Sequence, residues 1–129
     1  MARILILNDE PDLLEITSIV LNDLGHSVRT VADGKGVVET ARRFDPDLIL
    51  LDWVMPGMQG DQVFFMLRMA LERKVPVVLM SALADGAEKA KRIGTDGFLP
   101  KPFDAHQLED TVARFLDGSR AGQDFPRIR

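Results

Sequence analysis

The sequence predicts an α/β fold of the doubly wound type, in which helices cover both faces of one five-stranded parallel sheet. Five short apolar runs recur along the chain, and most are rich in Ile, Leu and Val without alternating polar residues, as in strands buried on both faces. Segments with helical periodicity separate these runs. Strands that alternate with helices in this way form a parallel sheet with right-handed crossovers, written (βα)5. The runs are residues 4–7, 27–32, 48–51, 75–80 and 97–99.

Three of the intervening segments carry an apolar stripe at helical spacing. Turn residues support these helices, because Pro11 fits a first helical turn and Gly25 follows the last periodic residue of that segment. Pro76, near the start of the fourth run, is acceptable only where a strand begins or at a sheet edge. The stripes are Leu13, Ile16, Val20 and Leu24; Val63, Met66, Leu67 and Ala70; and Leu108, Val112, Phe115 and Leu116.

Composition and charge exclude several classes of function. The chain has 129 residues, which suits one domain with a single core. A net charge of −4 does not indicate nucleic-acid or membrane binding. The absence of cysteine excludes disulfides, thiol catalysis and thiolate metal sites. The first apolar run is too short for a signal peptide or a membrane span, so we expect a cytoplasmic protein that binds neither nucleic acid directly nor a membrane.

Polar side chains follow four of the predicted strands. Because the carboxyl ends of parallel strands meet at one edge of the sheet, Asp9 and Asp52 should lie close together. Two neighbouring carboxylates favour a divalent cation, and oxygen ligands favour Mg²⁺. A carboxylate nucleophile, Mg²⁺ and an ammonium group are the parts that phosphoryl transfer requires. The residues at these ends are Asn8, Asp9 and Glu10; Asp52; Ser81; and Lys101.

Each of these residues also has a structural interpretation. Taken alone, Asp9 serves equally well as a helix cap, and Lys101 as a solvated charge. Four such groups at four strand ends favour a functional site over coincidence.

Four motifs resemble the receiver domains of response regulators, including the chemotaxis regulator: ILILNDEPDLLE, PDLILLDWVMPGMQG, VVLMSA and GFLPKPF. The resemblance covers about residues 2–117, and the ordered series of motifs is highly specific. It implies a flavodoxin-like fold with strand order 2-1-3-4-5. We therefore expect a receiver domain over residues 1–117. Residues 118–129, which lack apolar periodicity, are expected to form a C-terminal tail or the start of a linker.

The resemblance also implies roles for individual residues around the acidic cluster. Asp52 corresponds to the phosphoacceptor, and Asp9, Asp52 and the backbone carbonyl of Val54 to the Mg²⁺ ligands. Lys101 corresponds to the lysine that pairs with the phosphoryl group. A cis peptide bond is expected between Lys101 and Pro102.

Two further positions correspond to the switch of the family. Ser81 stands where a hydroxyl senses the phosphoryl group, and Phe98 stands where an aromatic side chain moves inward in response. Phe98 replaces the commoner tyrosine and loses only a hydroxyl. Val54 and Ala82 lie beside the route of attacking water, so they are candidates for tuning the lifetime of the acyl phosphate.

One position departs from the family pattern. Asn8 stands where receivers normally have a first acidic residue, whose carboxylate acts on the metal through bound water. An amide oxygen can accept a hydrogen bond in that place but carries no charge. We therefore expect weaker Mg²⁺ binding rather than none.

These residues predict a signalling switch and not a metabolic enzyme. The expected partners are a sensor histidine kinase or a histidine phosphotransfer protein, together with an unknown downstream effector; a homodimer through the fourth-helix face is left open. The alternative is a degenerate receiver that acts as a phosphorylation-independent interaction module. An aspartyl-phosphate phosphatase of the haloacid-dehalogenase kind would need aspartate in place of Val54. A flavin-binding carrier would need a Ser/Thr/Gly phosphate loop in place of residues 8–10.

Two further aromatic features are Trp53 and the apolar residues of the third helix. Trp53 is the only tryptophan and adjoins Asp52, so its fluorescence is a candidate reporter of metal binding. Phe65 and Met69 fall off the stripe of the third helix, where they form either a solvent-exposed partner patch or a contact with a neighbouring loop. We favour the loop contact.

Overall fold

The computed structural model describes residues 2–55 and 57–116, and within them seven strands and five helices. The strands are β1 (Arg3–Leu7), β2 (Ser27–Val31), β3 (Leu48–Asp52), β4 (Val54–Met55), β5 (Met58–Gln59), β6 (Val77–Ser81) and β7 (Gly97–Pro100). The helices are α1 (Pro11–Asp23), α2 (Val37–Phe44), α3 (Gly60–Ala70), α4 (Gly86–Ile93) and α5 (Ala105–Leu116). No helix in these two ranges is long and apolar enough to cross a bilayer. The predicted tail, residues 118–129, lies outside the described residues.

Five of the strands form one parallel sheet in the order β2-β1-β3-β6-β7. Numbered among themselves in chain order, they follow the order 2-1-3-4-5, which confirms the predicted fold. Between β3 and α3 the chain adds a short antiparallel pair, β4 with β5, that the sequence pattern did not indicate.

The core lies on both faces of this sheet because successive side chains of a strand point to opposite faces. On one face, Leu5, Ile49 and Leu79 pack among side chains of α2, α3 and α4. On the other face, Ile6 and Leu50 pack among side chains of α1 and α5. Every residue of β3 is buried, which explains why that strand lacks polar alternation.

Two sequence-based assignments of buried faces are wrong. In α1 the predicted stripe included Ile16, which is 60% exposed, whereas the buried residues are Thr17 and Leu21. The apolar pattern misled because this helix buries a threonine and leaves isoleucines in solvent. In α3 the favoured burial of Phe65 and Met69 against a loop is also incorrect, since Phe65 is exposed and Met69 is 88% exposed.

Candidate functional site

The polar residues predicted at the strand ends lie at one edge of the sheet. Leu7 of β1 pairs with Leu51 of β3, so the residues that follow them, Asn8 and Asp52, lie next to each other at the ends of these strands. In the other direction Ser81 of β6 pairs with Pro100 of β7, which places Lys101 one residue beyond. The carboxyl edge of the sheet therefore collects these side chains from four strands.

The central feature of this edge is an ammonium group shared by two carboxylates. Lys101 Nζ donates to Asp52 Oδ2 at 2.8 Å and to Glu10 Oε1 at 2.7 Å. The Asp52 side chain is only 5% exposed, whereas Glu10 lies at the solvent-exposed rim. Sequence reasoning placed Glu10 in the acidic cluster but assigned it no role. The structure shows that it holds the lysine from the outer side.

Burial and charge act in opposite directions on this pair. Burial raises the pKa of Asp52 above its ordinary value, and the hydrogen bond and charge of Lys101 offset that effect only in part. Burial lowers the pKa of Lys101, but its bonds to Asp52 and Glu10 outweigh the burial, so the pKa of this lysine is raised. Burial dominates the pKa of Asp52, which has one cationic partner, whereas the two anionic partners of Lys101 together outweigh burial in setting its pKa. Lys101 therefore stays charged at neutral pH.

Ser81 ends β6, one residue beyond Met80, which pairs with Asp52 of β3. It is buried, and its Oγ accepts a hydrogen bond from the backbone N–H of Leu83 at 3.0 Å. Its backbone carbonyl accepts the N–H of Lys101 at 2.9 Å, so the loops that follow β6 and β7 are tied together here. Ala82 and Leu83 are exposed after it, as is Val54 after β3. The sequence reasoning did not single out Leu83, although its apolar side chain follows Ser81 by only two residues.

The predicted switch aromatic and the cis bond lie on β7 and directly after it. Phe98 is buried beneath the first turn of α4, where its ring packs against the backbone of Gly86. The Lys101–Pro102 peptide bond is cis. One turn further along α4, Lys89 Nζ lies 5.4 Å from the centre of the Trp53 ring. Helix α4 thus touches both Phe98 and the residue that follows Asp52.

The donor set at this edge fits Mg²⁺. Asp9 is exposed and makes no hydrogen bond or ion pair with any described residue. In the described part of the chain, the only hydrogen-bond contact of Asp52 Oδ1 is a long one, 3.4 Å, with the N–H of Val54. Two carboxylates and the carbonyl of Val54 would supply three hard oxygen ligands, and Mg²⁺ commonly keeps several waters besides its protein ligands. Within the described ranges no group of three or more His, Cys, Asp or Glu residues is arranged to hold a metal.

Asn8 adds little to this donor set. Its Oδ1 already accepts the backbone N–H of Glu10 at 2.8 Å, which orients the amide. Its Nδ2 is buried and has no hydrogen-bond partner among the described residues. A donor nitrogen cannot ligate a cation, and the neutral amide of Asn8 contributes no negative charge at this position.

We predict that Asn8→Asp binds Mg²⁺ about tenfold more tightly than the wild type, because it adds a carboxylate beside Asp52 and Asp9. Trp53 is the only tryptophan, so a fluorescence titration with MgCl₂ measures the dissociation constant directly. Asn8→Ala is the matched control, since it removes the amide without adding charge, and its affinity should stay within about twofold of the wild type. Equal affinities for all three proteins would contradict the prediction.

Comparison with known proteins agrees with this geometry. The family model described as the response regulator receiver domain matches residues 4–113. Among curated proteins, the DNA-binding response regulator MtrA of Mycolicibacterium smegmatis is 35% identical over 126 residues, which cover 96% of this chain and 53% of MtrA. Protein PilH of Pseudomonas aeruginosa is 35% identical over 121 residues, covering 92% of this chain and 100% of PilH. The chain thus spans about half the length of MtrA.

Solved structures show the same relationship. The receiver domain of NtrX from Brucella abortus superposes with a TM-score of 0.81 at 29% identity, covering 90% of this chain and 99% of that domain. The chemotaxis response regulator CheY4 of Vibrio cholerae gives a TM-score of 0.82 at 29% identity with the same coverage. On its sequence, its fold and the residues at its sheet edge, the chain belongs to the response regulator receiver domain family.

Proposed function

We propose that this receiver accepts a phosphoryl group on Asp52 from a phosphohistidine of a sensor histidine kinase or a histidine phosphotransfer protein. The observation that carries the proposal is the buried Asp52 carboxylate, held 2.8 Å from the ammonium of Lys101 at the carboxyl edge of the sheet. A carboxylate nucleophile beside a fixed cation is suited to attack on a phosphoryl group, because charge builds up on the phosphoryl oxygens in the transition state.

In the proposed reaction, a carboxylate oxygen of Asp52 forms a bond to phosphorus as the P–N bond of the phosphohistidine breaks. The electron pair of that bond stays on the imidazole of the partner, and Asp52 becomes an acyl phosphate. Lys101 turns from the carboxylate toward a phosphoryl oxygen and is kept in the site by Glu10. Asp9, Asp52 and the carbonyl of Val54 would hold Mg²⁺, which when bound would neutralise charge on the phosphoryl oxygens.

The output in this proposal is a change in the face formed by α4, β7 and α5. A phosphoryl group on Asp52 competes for the hydroxyl of Ser81, whose Oγ accepts the N–H of Leu83. Movement of this loop shifts the first turn of α4, the helix that covers Phe98. Attack of water on the acyl phosphate resets the switch. Val54 and Ala82, together with Leu83, are exposed beside Asp52 and Ser81, where they can tune access of that water.

The alternative is a receiver that signals without phosphorylation, and the one observation in its favour is Asn8, whose buried Nδ2 has no hydrogen-bond partner among the described residues. The intact Asp52–Lys101 pair favours the phosphoryl switch. The kinase, the effector, a homodimer through α4 and a cytoplasmic location stay predictions. A DNA-binding output, as in the name of MtrA, would require a longer protein than this chain.

We expect a single phosphoryl adduct on the protein after incubation with Mg²⁺ and a small phosphodonor such as acetyl phosphate, detected by intact mass. Asp52→Asn should give none, because the amide is not a nucleophile toward phosphorus. Both proteins should remain folded, as judged by circular dichroism. A folded wild type that shows no adduct with saturating Mg²⁺ would instead support the phosphorylation-independent module.

A further inference from the structure

Gly86, the first residue of α4, lies against the switch residues. A Cβ atom built on it would be 2.7 Å from Cζ and 2.8 Å from Cε1 of Phe98, and 3.2 Å from Cβ of Ser81. Contacts below 3.0 Å essentially never occur for a real Cβ, so the ring occupies the space that a side chain at this position would need. The notch left by the missing side chain is thus filled by Phe98.

The backbone does not explain a glycine here. Gly86 does not have a left-handed backbone, in contrast to Gly36 and Gly94, where positive φ angles favour glycine. Within a helix, alanine is more favourable than glycine because glycine loses more conformational entropy on folding. The packing of Phe98 against the bare backbone offsets this disadvantage. The requirement for glycine is therefore steric.

We propose that Gly86 is a positioning residue of the switch: its notch admits the ring of Phe98 beside Ser81 and so couples both residues to α4. This inference rests on the proposed function to the extent that Ser81 and Phe98 carry its output. Any side chain at position 86 forces the ring away from the core or the helix away from the sheet.

Helix α4 is suited to respond to such a contact because it is short and lightly anchored. It has eight residues, and only Gly86 and Ala90 among them are buried. The N–H of Gly86 donates to the carbonyl of Leu83 at 3.1 Å, so the first turn is tied to the loop that follows Ser81. One turn later, Lys89 reaches the ring of Trp53. A displacement of Phe98 is therefore transmitted to a helix that also contacts the acceptor loop.

The test uses Gly86→Ala, Phe98→Leu and the double variant. Phenylalanine is replaced biosynthetically by 3-fluorophenylalanine, and the ¹⁹F resonance of Phe98 is assigned as the one of seven that Phe98→Leu lacks. Gly86→Ala should move this resonance and lower the midpoint of thermal unfolding by about 4 °C or more, as overpacking does. In the Phe98→Leu background the same alanine should leave the midpoint unchanged or raise it. Leucine lacks the clashing ring atoms, so only the helix propensity of alanine remains.

A loss of thermal stability that Gly86→Ala causes only when Phe98 is present indicates a steric notch, because an effect on helix propensity would be the same in both backgrounds. If Gly86→Ala leaves the Phe98 resonance in place and raises the midpoint in both backgrounds, the inference is wrong. Failure of the proposed function has a different signature. In that case the wild type takes neither a phosphoryl group nor beryllofluoride with Mg²⁺, as followed by mass and Trp53 fluorescence, whatever the effect of alanine at position 86.

Discussion

Lys101→Ala is expected to slow phosphorylation of Asp52 by acetyl phosphate about 100-fold or more at saturating Mg²⁺. Lys101 Nζ is the only cationic group that contacts the Asp52 carboxylate among the described residues, at 2.8 Å. Removing a fixed donor from a position where transition-state charge develops commonly costs two to three orders of magnitude in rate. The rate is measured from the growth of the phosphoryl adduct by intact mass.

The same variant should change the pH dependence of the reaction. The bond and the charge of Lys101 both lower the pKa of Asp52, against the burial that raises it. Without the lysine, the pKa of Asp52 rises further above that of an ordinary carboxyl group. Only the ionised carboxylate attacks phosphorus, so the fall in rate on acidification should begin at a higher pH in Lys101→Ala than in the wild type.

Lys91→Ala is the matched control for this experiment, because Lys91 is a solvent-exposed lysine of α4 outside the site. In this variant Asp52 should be phosphorylated at the wild-type rate and with the wild-type pH profile. A Lys101→Ala protein that reacts within about threefold of the wild type would contradict the assigned role of the ammonium.

Asp96→Ala is expected to lower the free energy of unfolding by about 3–5 kcal/mol, the usual cost of leaving one partner of a buried ion pair alone. Asp96 Oδ2 accepts both the guanidinium of Arg68 at 2.6 Å and the backbone N–H of Val77 at 2.8 Å. The side chain of Asp96 is only 10% exposed and that of Arg68 only 24%. Arg68 also donates to the carbonyl of Val75 at 2.6 Å and lies over the ring of Phe64. Alanine at position 96 would leave the guanidinium of Arg68 without its carboxylate partner and the backbone N–H of Val77 without an acceptor.

Urea denaturation measures this loss as a lower midpoint with an unchanged slope. Glu39→Ala is the control, because it removes the exposed pair between Glu39 and Arg43 on α2 and should cost less than about 0.5 kcal/mol. If Asp96→Ala destabilises the protein no more than Glu39→Ala does, the ion pair at Asp96 does not hold α3 to the sheet.

Much of this fold could be predicted because its central strands are buried on both faces. The run 48–51 is apolar throughout and became the fully buried β3. The fourth run was predicted to start at residue 75, but β6 begins at Val77, after Pro76, whose nitrogen has no proton to donate to a sheet. The two-residue strands β4 and β5 are too short to produce a recognisable pattern of apolar residues in the sequence.

Helix faces were harder to predict than strands. In α1 the apolar residues Ile16 and Ile19 point to solvent, while Thr17 is buried. Periodicity reports where apolar residues recur, but the packing of the helix against the sheet decides which side is covered. In α3 the exposed Phe65 and Met69 show the same limit.

The sequence by itself determined the order of strands and helices, and with it the set of residues that stand at the carboxyl ends of the strands. Parallel strands bring those ends to one edge whatever the side chains do, so Asp52, Ser81 and Lys101 could be placed together in advance. Only the tertiary structure decided which atoms meet there. The pairing of Lys101 with Glu10, 91 residues apart, and the fit of Phe98 over Gly86 depend on how separate elements pack against one another, and no local sequence pattern encodes those distances.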